Sequence, residues 1–380
     1  PLGENEFELF LQNIGFLGDP FIHDSEIYSY FDEKRADDNS KFDEWKANLE
    51  SKLQSDKNFR QLWNQFNNFE TSEVELEWSS DEASRVVGGK ILNQYGLSNK
   101  FIIGGSADLA ASTKQIISDD TFGSNNFGGN SIEFGIREHA MGGIVNGLAL
   151  HSNLIPYGST FLVFSDYMRP SMRLASLMNV NSLFIFTHDS IYLGEDGPTH
   201  QPIEHLMSLR LIPNLDVIRP SNSMELIHSY RYALEKRDNP KAIILSRQNM
   251  KFFDNDVSYE DFQTGAYEFM PGSDITLIAT GSELELAFEI GTKLKDLSVQ
   301  IIIAPILNRL NEQRLQSLSL NQNIFTIELG RTIGWDTYIQ NIKKSFSIDS
   351  FGESAPIDQL AEKFNFNAEK ISDEIRSLLN

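Results

Sequence analysis

The sequence predicts an α/β protein with two consecutive doubly wound domains, each with a mainly parallel sheet, preceded by a helical connector. Three observations predict this fold class. Short apolar runs alternate with helical patterns from about residue 79 onward, which is typical of doubly wound sheets. A polar stretch at 252–263 interrupts this alternation, and the first part of the chain lacks it. The predicted limits are 1–78 for the connector, 79–255 for the first α/β domain and 256–380 for the second.

The connector differs from the remainder in charge and in periodicity. Residues 1–78 hold 7 basic against 18 acidic side chains, a net charge of −11 and half of the −22 of the whole chain. Between Phe31 and Phe69, apolar residues recur at spacings of three and four, which indicates amphipathic helices lying on a surface. We interpret the charged side as a solvated face rather than as a partner-binding site. The apolar residues are Phe42, Trp45, Leu49, Leu53, Phe59, Leu62, Trp63 and Phe66.

The first α/β domain is predicted from short apolar runs that end in polar or glycine-containing turns, as buried parallel strands do. The predicted strands are Phe101–Gly104, Ser182–Phe186 and Ala242–Leu245. The predicted helices are Glu138–Leu150, Asp166–Met178 and Met224–Glu235. In such sheets, ligands bind at the carboxyl ends of the strands.

The second α/β domain is predicted from the same alternation. Ile275–Ala279 is a predicted strand, and the following Gly281-Ser282-Glu283 is a predicted cap for a helix over Leu284–Leu297. Two further strands are predicted over Val299–Ala304 and Ile324–Glu328. The chain then closes with helical segments from Ile357 onward.

Composition excludes several classes of protein. With 32 basic and 54 acidic residues, the chain lacks the basic face that nucleic acids or anionic membranes require. The absence of cysteine excludes disulfides, thiolate metal sites and thiol nucleophiles. No apolar run approaches the ~20 residues of a membrane span, and no signal peptide is recognisable. We therefore expect a soluble cytoplasmic protein. Because residue 1 is proline and not methionine, we also expect further sequence upstream.

Polar and charged residues concentrate after the predicted strands of the first α/β domain. Taken singly, each has an ordinary explanation: a surface ion pair for an arginine, a hydrogen-bonded loop residue for His188, a turn for Asp196. Together they bring serine, aspartate, histidine and arginine to one edge of one sheet. That combination suits a polyhydroxylated, anionic small molecule. The segments are Gly104–Asp108 with Ser112, Thr187–Ser190, Gly194–Pro202 and Ser246–Asn249.

Two further features each allow two interpretations. Glu138 begins an apolar, glycine-rich helix, where it either answers the positive end of the helix dipole or exchanges a proton with a bound heterocycle. Phe161, Phe164 and Tyr167 recur at spacing three. As a stripe they are more typical of a core than of a cofactor pocket.

Several motifs together resemble transketolase. The resemblance extends over essentially the whole chain and is specific in combination, although other thiamine diphosphate enzymes share parts of it. The matching segments are Gly135–Met141, Thr187–Ile191, Gly194–Pro202 and Ser246–Asn249, with Pro1–Gly3 and Phe351–Pro356 near the two ends.

The resemblance implies a cofactor site. Glu138 matches the glutamate that hydrogen-bonds the aminopyrimidine ring of thiamine diphosphate. With His188 and His200, it forms the implied catalytic set. The implied pocket around that ring, which replaces the core interpretation, consists of Phe161, Phe164 and Tyr167, with Asp108 near the cofactor.

The resemblance also implies a sugar-phosphate site. Asp196 and His200 match residues that contact substrate hydroxyls near the reacting carbons. Ala111 stands where many relatives have proline before the serine, a departure that affects the assignment of Ser112. The implied ligands of the sugar phosphate are Arg85, Ser112, His188 and Arg247.

The implied reaction transfers a two-carbon ketol unit from a ketose phosphate to an aldose phosphate, as in the pentose phosphate pathway. In the family, an earlier domain holds the diphosphate through Mg²⁺ (or Ca²⁺), using a Gly-Asp-Gly element and a later asparagine. That element does not occur between Pro1 and Asn380, so we expect no metal ligand in this chain. We expect a homodimer, or a heteromer with a diphosphate-binding subunit, and an isolated chain that is inactive.

Two alternatives remain open. One is a non-catalytic or regulatory subunit that keeps the fold. The other is a different thiamine diphosphate enzyme, such as a dihydroxyacetone or deoxyxylulose synthase. Convergence of Arg85, Ser112 and Arg247 on a phosphate-sized space would favour transketolase over the second alternative.

Overall fold

A computed structural model describes residues 2–19, 22–68, 74 and 80–379. The chain divides into two compact units, Pro1–Asn67 and Asn68–Asn380. Pro1, Phe69 and the predicted boundary at 78–79 lie outside the described residues. Within the described part, no helix has both the length and the apolar character that crossing a membrane requires.

The first unit is helical, as predicted. Asp56 separates its last two helices and caps the second of them, since the amide of Phe59 donates to Asp56 Oδ1 at 2.9 Å. The rings of Phe59 and Trp63 stack with centroids 6.3 Å apart, whereas Phe42 and Trp45 remain more than half exposed within this unit. The helices are α1 (Glu4–Asn13), α2 (Ser25–Ser55) and α3 (Lys57–Asn67).

The second unit begins with a six-stranded parallel sheet in the order β3-β2-β4-β5-β7-β6, accompanied by a short antiparallel pair, β1-β8. Its elements are β1 (Glu82–Ala83), α4 (Ser84–Ser98), β2 (Ile102–Ser106), α5 (Ala110–Thr113), β3 (Ser131–Glu133), α6 (Glu138–His151), β4 (Ile155–Phe161), α7 (Ser165–Leu177), β5 (Leu183–Thr187), α8 (His205–Arg210), β6 (Asp216–Ile218), α9 (Ser223–Glu235), β7 (Lys241–Leu245) and β8 (Asn249–Met250).

A five-stranded sheet follows in the order β13-β12-β10-β11-β9, parallel except for the edge strand β9. Its elements are α10 (Tyr259–Gln263), β9 (Tyr267–Met270), β10 (Ile275–Ala279), α11 (Glu283–Lys293), β11 (Val299–Ile303), α12 (Glu312–Ser317), β12 (Ile324–Ile327), β13 (Ile342–Phe346), α13 (Ile357–Lys363) and α14 (Ala368–Leu379).

Both sheets are covered on both faces, which confirms the doubly wound prediction. In β5, Phe184 and Phe186 join the core cluster beneath α6, α7 and α8, while Ile185 points to the opposite face beneath α4 and α9. In β11, Ile301 and Ile302 divide between two clusters in the same way. Side chains alternate along a strand, so each apolar run supplies two cores at once.

Two local predictions differ from the structure. Helix α11 ends at Lys293, before the predicted Leu297, and the Ser282 side chain donates to Glu283 Oε1 at 2.9 Å instead of capping the helix. Strand β4 has no counterpart among the predictions, because Pro156 and Gly158 read as strand breakers. Gly158 is required there, since a Cβ would lie 2.9 Å from Met141 Cγ of α6.

Candidate functional site

Strand order arranges the predicted site residues in a row. Since β3, β2, β4, β5 and β7 are parallel neighbours, their carboxyl ends meet at one edge, as the sequence predicts. Neighbouring strands lie about 4.8 Å apart, so this edge extends over about 19 Å from the first to the last. Along it, in spatial order, come Glu138, Asp108, Phe161, His188 and Arg247, each following one of these five strands.

An aromatic cluster occupies the middle of the row. The rings of Phe161 and Phe164 stack with centroids 5.8 Å apart and planes only 9° from parallel. Tyr167 continues from Phe164 at 6.1 Å and is 65% exposed. His200 stands edge-on to Phe164 at 5.7 Å. Because the three aromatics lie on a strand end, a 3₁₀ turn and α7, they are not the helical core stripe that their spacing suggests.

His188 packs directly onto this cluster. Its ring centroid lies 3.6 Å from that of Phe161, and its Nδ1 lies 2.8 Å from Thr187 Oγ1. The backbone φ of +62° is in the left-handed region, which costs a residue other than glycine free energy. His188 is buried, and the residues packed around it hold its backbone in this conformation.

Burial, together with the charges of Arg85, Arg247 and His200, lowers the pKa of His188 to about 3. His188 is therefore neutral near pH 7. A neutral imidazole adds no positive charge to the local field, and the place of His188 in the implied catalytic set stays a prediction. His188 is a neutral hydrogen-bonding group, and the arginines carry the positive charge.

Two arginines meet beside His188 because the serines before them bind each other. Ser84 Oγ and Ser246 Oγ lie 3.0 Å apart, and the amide of each serine donates to the hydroxyl of the other, at 3.1 and 2.7 Å. Arg85 and Arg247 follow these serines directly. Reasoning from the sequence missed the serine pair, since no local signal links residues 162 positions apart.

Arg85 is suited to an anion. Burial, followed by the like charge of Arg247, lowers the pKa of its guanidinium, and Asp196 opposes this shift. Its buried Nε has no hydrogen-bond partner within the described residues. A bound phosphate would supply that partner and relieve the repulsion between the arginines.

Ser112 reaches this region in a different way from the one predicted. Its backbone carbonyl accepts from Arg85 Nη1 at 2.5 Å, so it holds the arginine that faces the site. The preceding Ala111 is exposed at the start of α5. A direct contact between the Ser112 hydroxyl and a phosphate stays a prediction.

Two neighbouring clefts meet at Arg247. The smaller, of about 400 Å³, is lined by Gly194, Glu195 and Asp196 together with Arg247. The larger, of about 770 Å³, contains Arg85 and Arg247. Both also contain residues of α13, so the segment after the second sheet forms one wall.

The opposite end of the row holds Glu138 and Asp108. Glu138 is half-buried as the first residue of α6, and its carboxylate has no hydrogen-bond or ion-pair partner within the described ranges. Asp108 has a φ of +61° and lines a separate cleft of about 660 Å³ with Gly135 and Arg137. The structure thus places these two carboxylates at the same edge as the arginines, without direct contact to them.

Potential metal ligands come together at one place in the described part of the chain. His205 Nε2 lies 3.2 Å from Asp166 Oδ2, and Glu204 is the third member of the group. Both carboxylates are exposed, and the contact is an ordinary hydrogen bond. The expectation that this chain supplies no metal ligand stays a prediction.

A second group that the sequence analysis missed holds the loop of Asp196 and His200. Gln201 is buried, and its Nε2 donates to the carbonyls of Ile191, Gly194 and Glu353. The loop is therefore tied to the segment Phe351–Pro356, one of the motifs near the end of the chain. A lone glutamine next to a histidine carries no recognisable signal of this role.

Two family models match the chain. The transketolase pyrimidine-binding domain matches residues 83–252, and the transketolase-like C-terminal domain matches residues 265–367. A transketolase of Staphylococcus aureus is 38% identical over 408 residues; the match covers all of this chain and 60% of that protein. The chain thus spans about three fifths of the length of the curated relatives it matches.

Solved structures agree with this result. A transketolase from Pichia stipitis in complex with sedoheptulose-7-phosphate superposes with a TM-score of 0.90 at 28% identity, covering 100% of this chain and 59% of that one. A structure described as a split gene transketolase, inactive beta4 tetramer, has a TM-score of 0.64 at 25% identity. It covers 78% of this chain, and 98% of its own length is matched.

Proposed function

The chain belongs to the transketolase family, and we propose that it supplies the aminopyrimidine and sugar-phosphate part of a transketolase active site. The proposed reaction moves a two-carbon ketol unit from a ketose phosphate to an aldose phosphate. One observation carries the proposal: the row at the edge of the first sheet runs from a carboxylate with no partner among the described residues, through stacked aromatic rings, to a pair of arginines.

The middle and one end of the row fit the ring of thiamine diphosphate. Phe161 and Phe164 offer a flat apolar surface that suits an aromatic heterocycle, and Tyr167 extends it. Glu138 stands at the start of α6, without a partner in the part of the chain that the structure describes, and there it can hydrogen-bond a ring nitrogen and hold or release a proton. The chemistry that thiamine diphosphate supplies when bound is a nucleophilic carbon for the ketose carbonyl.

The other end of the row fits the sugar phosphate. Arg85 and Arg247 bind the phosphate, with Ser112 holding Arg85 in place. Asp196 and His200 contact the hydroxyls near the reacting carbons, and His188 donates or accepts a hydrogen bond as a neutral imidazole. Asp108 lies nearer to the cofactor end. These roles rest on the placement of each residue along the edge.

We further propose that the diphosphate and its Mg²⁺ are held by residues outside these 380, on another segment or another subunit. An apolar surface on α6 and α7 supports a contact with a second subunit, because both helices expose large apolar side chains. A homodimer and a heteromer both fit this surface, and the likeness to a structure described as a split gene transketolase, which covers 78% of this chain, supports a partner subunit. The exposed residues are Ile144, Leu150, Tyr167, Leu174, Leu177 and Met178.

Two of the three residues whose convergence would favour transketolase, Arg85 and Arg247, line one cleft, which supports a phosphorylated substrate. A cytoplasmic location and a place in carbohydrate metabolism, such as the pentose phosphate pathway, are part of the same proposal. An acidic chain can still bind anionic sugars, because the field at the site is set by nearby charges.

Reconstitution tests the function. The chain would be combined with a diphosphate-binding transketolase domain, Mg²⁺ and thiamine diphosphate, and two-carbon transfer between sugar phosphates would be followed. We expect transfer by the mixture and none by either part alone. A mixture that binds thiamine diphosphate and both sugars without transfer would instead identify a non-catalytic subunit.

A further inference from the structure

Behind the sugar-phosphate end lies a buried ion-pair chain that joins the two sheets. We use this name for Asp189, Arg219 and Glu283, all of which are at most 2% exposed. Asp189 directly follows His188 at the end of β5. Arg219 follows β6 of the first sheet, and Glu283 begins α11 beside the second sheet.

The carboxylate next to His188 depends on one arginine. Asp189 Oδ2 accepts from Arg219 Nε at 3.1 Å and from Nη2 at 2.7 Å. The other oxygen, Oδ1, is buried and has no hydrogen-bond partner in the described part of the chain. A buried carboxylate with a single cationic neighbour moves if that neighbour moves, because it cannot remain unpaired in an apolar interior.

That arginine is held almost entirely by the second sheet. Its Nη1 donates to the carbonyl and to the hydroxyl of Thr280, at 3.0 and 2.9 Å, and forms a short contact with Glu283 Oε2. Its Nη2 donates to Glu283 Oε1 at 3.1 Å. Its backbone is fixed as well, because its amide donates to Pro305 O at 2.8 Å and its carbonyl accepts from Gly281 N at 3.1 Å.

The backbone of His188 needs support of this kind. A φ of +62° is unfavourable for histidine, yet it directs the ring onto Phe161 at 3.6 Å. Asp189 is the adjacent residue, so fixing its carboxylate restrains the peptide that joins the two residues. The contacts of Asp189 with Arg219 therefore restrain the strained loop that holds His188.

Resting on the proposed function, we propose that the buried ion-pair chain positions His188, so that the second sheet sets the geometry of the sugar-phosphate site. Asp189, Arg219 and Glu283 are positioning residues in this account. The alternative is that they only join the two sheets. In that case, weakening them lowers stability without moving His188.

The test uses Glu283→Gln, which keeps the shape and one acceptor but removes the charge that holds Arg219. Arg210→Lys is the matched control, since Arg210 is equally buried and forms a bidentate ion pair to Glu328 across the same two sheets, at 2.8 and 2.7 Å. If Glu283→Gln does not fold, Thr280→Val is used in its place, because it removes the hydrogen bond from Arg219 to the Thr280 hydroxyl.

The readout is the His188 ring signal in the 380-residue chain labelled with ¹³C at histidine Cε1, assigned with His188→Gln. In the wild type, this signal should not titrate between pH 5 and 8, because His188 is held neutral by burial. In Glu283→Gln, we expect a shifted signal that titrates within this range, because a displaced ring is less buried and its pKa rises toward the ordinary value of about 6.5. Arg210→Lys should leave the His188 signal as in the wild type.

An unchanged His188 signal in a folded Glu283→Gln or Thr280→Val variant would overturn the proposal. An equal shift of the His188 signal in Arg210→Lys would also overturn it, because weakening any buried ion pair between the two sheets would then have the same effect. In the reconstituted enzyme, Glu283→Gln should raise KM for phosphorylated ketose about tenfold, as loss of a hydrogen bond to a charged group does, with little change in kcat. A wild-type enzyme without transfer activity would refute the proposed function alone, since the ring signal is measured without turnover.

Discussion

The two sheets of the second unit have the same construction and use their carboxyl ends in opposite ways. In the first sheet, the strand ends lead to the exposed Arg247 and to Asp108 with its positive φ, and the neighbouring Arg85 has a buried Nε without a hydrogen-bond partner in the described part of the chain. In the second sheet, the strand ends lead to Thr280 and Glu328, which are buried and bonded to arginines of the first. The carboxyl edge of the first sheet is therefore open for a ligand, whereas that of the second sheet is buried and holds arginines of the first sheet in place.

This contrast explains why similar sequence patterns lead to different outcomes. A strand followed by polar residues marks the end of a parallel strand in both cases. The difference is whether these polar residues are paired, which the tertiary structure decides. Paired residues connect the two sheets, whereas unpaired residues can form a binding site. The predictions below test that difference, from the largest expected effect to the smallest.

The largest effect is expected at the open edge. Glu138→Gln should lower kcat for two-carbon transfer in the complete assembly by about 10²–10⁴-fold, because proton exchange at the aminopyrimidine is lost. Circular dichroism and the melting temperature should stay as in the wild type. Glu133→Gln, which changes an exposed carboxylate at the end of β3, is the control. Near-normal turnover of the Glu138 variant would remove the proton role from this residue.

At the carboxyl edge of the second sheet, we expect substitutions to lower the stability of the fold rather than turnover. Among the described residues, Arg210→Met leaves the buried Glu328 with Thr280 Oγ1 and Trp335 Nε1 as its remaining hydrogen-bond donors. We expect a loss of about 3–5 kcal/mol in the free energy of unfolding, measured with denaturant, because a buried charge is left uncompensated. Arg376→Ala breaks a bidentate pair with Asp296 that is exposed to water, and it should change little. Similar losses in both variants would contradict the account.

A buried acid where the two sheets meet makes stability depend on pH. Burial raises the pKa of Glu225 to about 7, while hydrogen bonds from Ser221 and Tyr267 oppose the shift. Between the unfolded pKa near 4.5 and the folded value near 7, only the unfolded chain ionises. The contribution of this group is therefore present below about pH 4.5 and is lost as pH rises to 7, by about 3 kcal/mol.

Glu225→Gln should remove this decline. The measurement is denaturant unfolding at pH 5 and pH 8, with the exposed Glu312→Gln as the control variant. If the wild type and the Glu225 variant lose the same stability between these pH values, Glu225 does not titrate as proposed.

The smallest effect is expected in binding at the open edge. Arg247→Ala should raise KM for phosphorylated sugars about 10–100-fold and leave unphosphorylated sugars nearly unaffected, because one of two charge-assisted contacts to phosphate is lost. Arg247→Lys should recover part of the affinity, since it keeps the charge without the planar fork. An equal rise for both kinds of sugar would show that Arg247 does not bind the phosphate.

Much of the fold follows from the sequence because its strands are buried on both faces. The run Ala242–Leu245 is apolar throughout and Ile275–Ala279 is apolar apart from Thr276, and the structure places strands there. Strand β4 escaped prediction because its glycine serves close packing with α6, a requirement that only the folded state reveals. Helix α11 ends at Lys293 rather than at Leu297, because the chain turns there: the amide of Leu297 donates to the carbonyl of Leu294 at 2.9 Å.

The residues of the site could be predicted from the sequence, but the contacts among them and the protonation state of His188 could not. Motif recognition identifies His188, yet the neutral state of its ring depends on Phe161 and two arginines that meet it only in space. The Ser84–Ser246 pair and the contacts of Arg219 join residues that are 162 and up to 86 positions apart. No local pattern encodes contacts of that kind.

The central claim is that this chain holds the ring and sugar-phosphate half of the site and depends on a separate diphosphate-binding half. Calorimetric titration of thiamine diphosphate with Mg²⁺ into the 380-residue chain, alone and together with a diphosphate-binding transketolase domain, tests it most directly. The account predicts Mg²⁺-dependent binding in the mixture and none, or only weak binding, in the chain alone. Tight, Mg²⁺-dependent binding to the chain alone would contradict it.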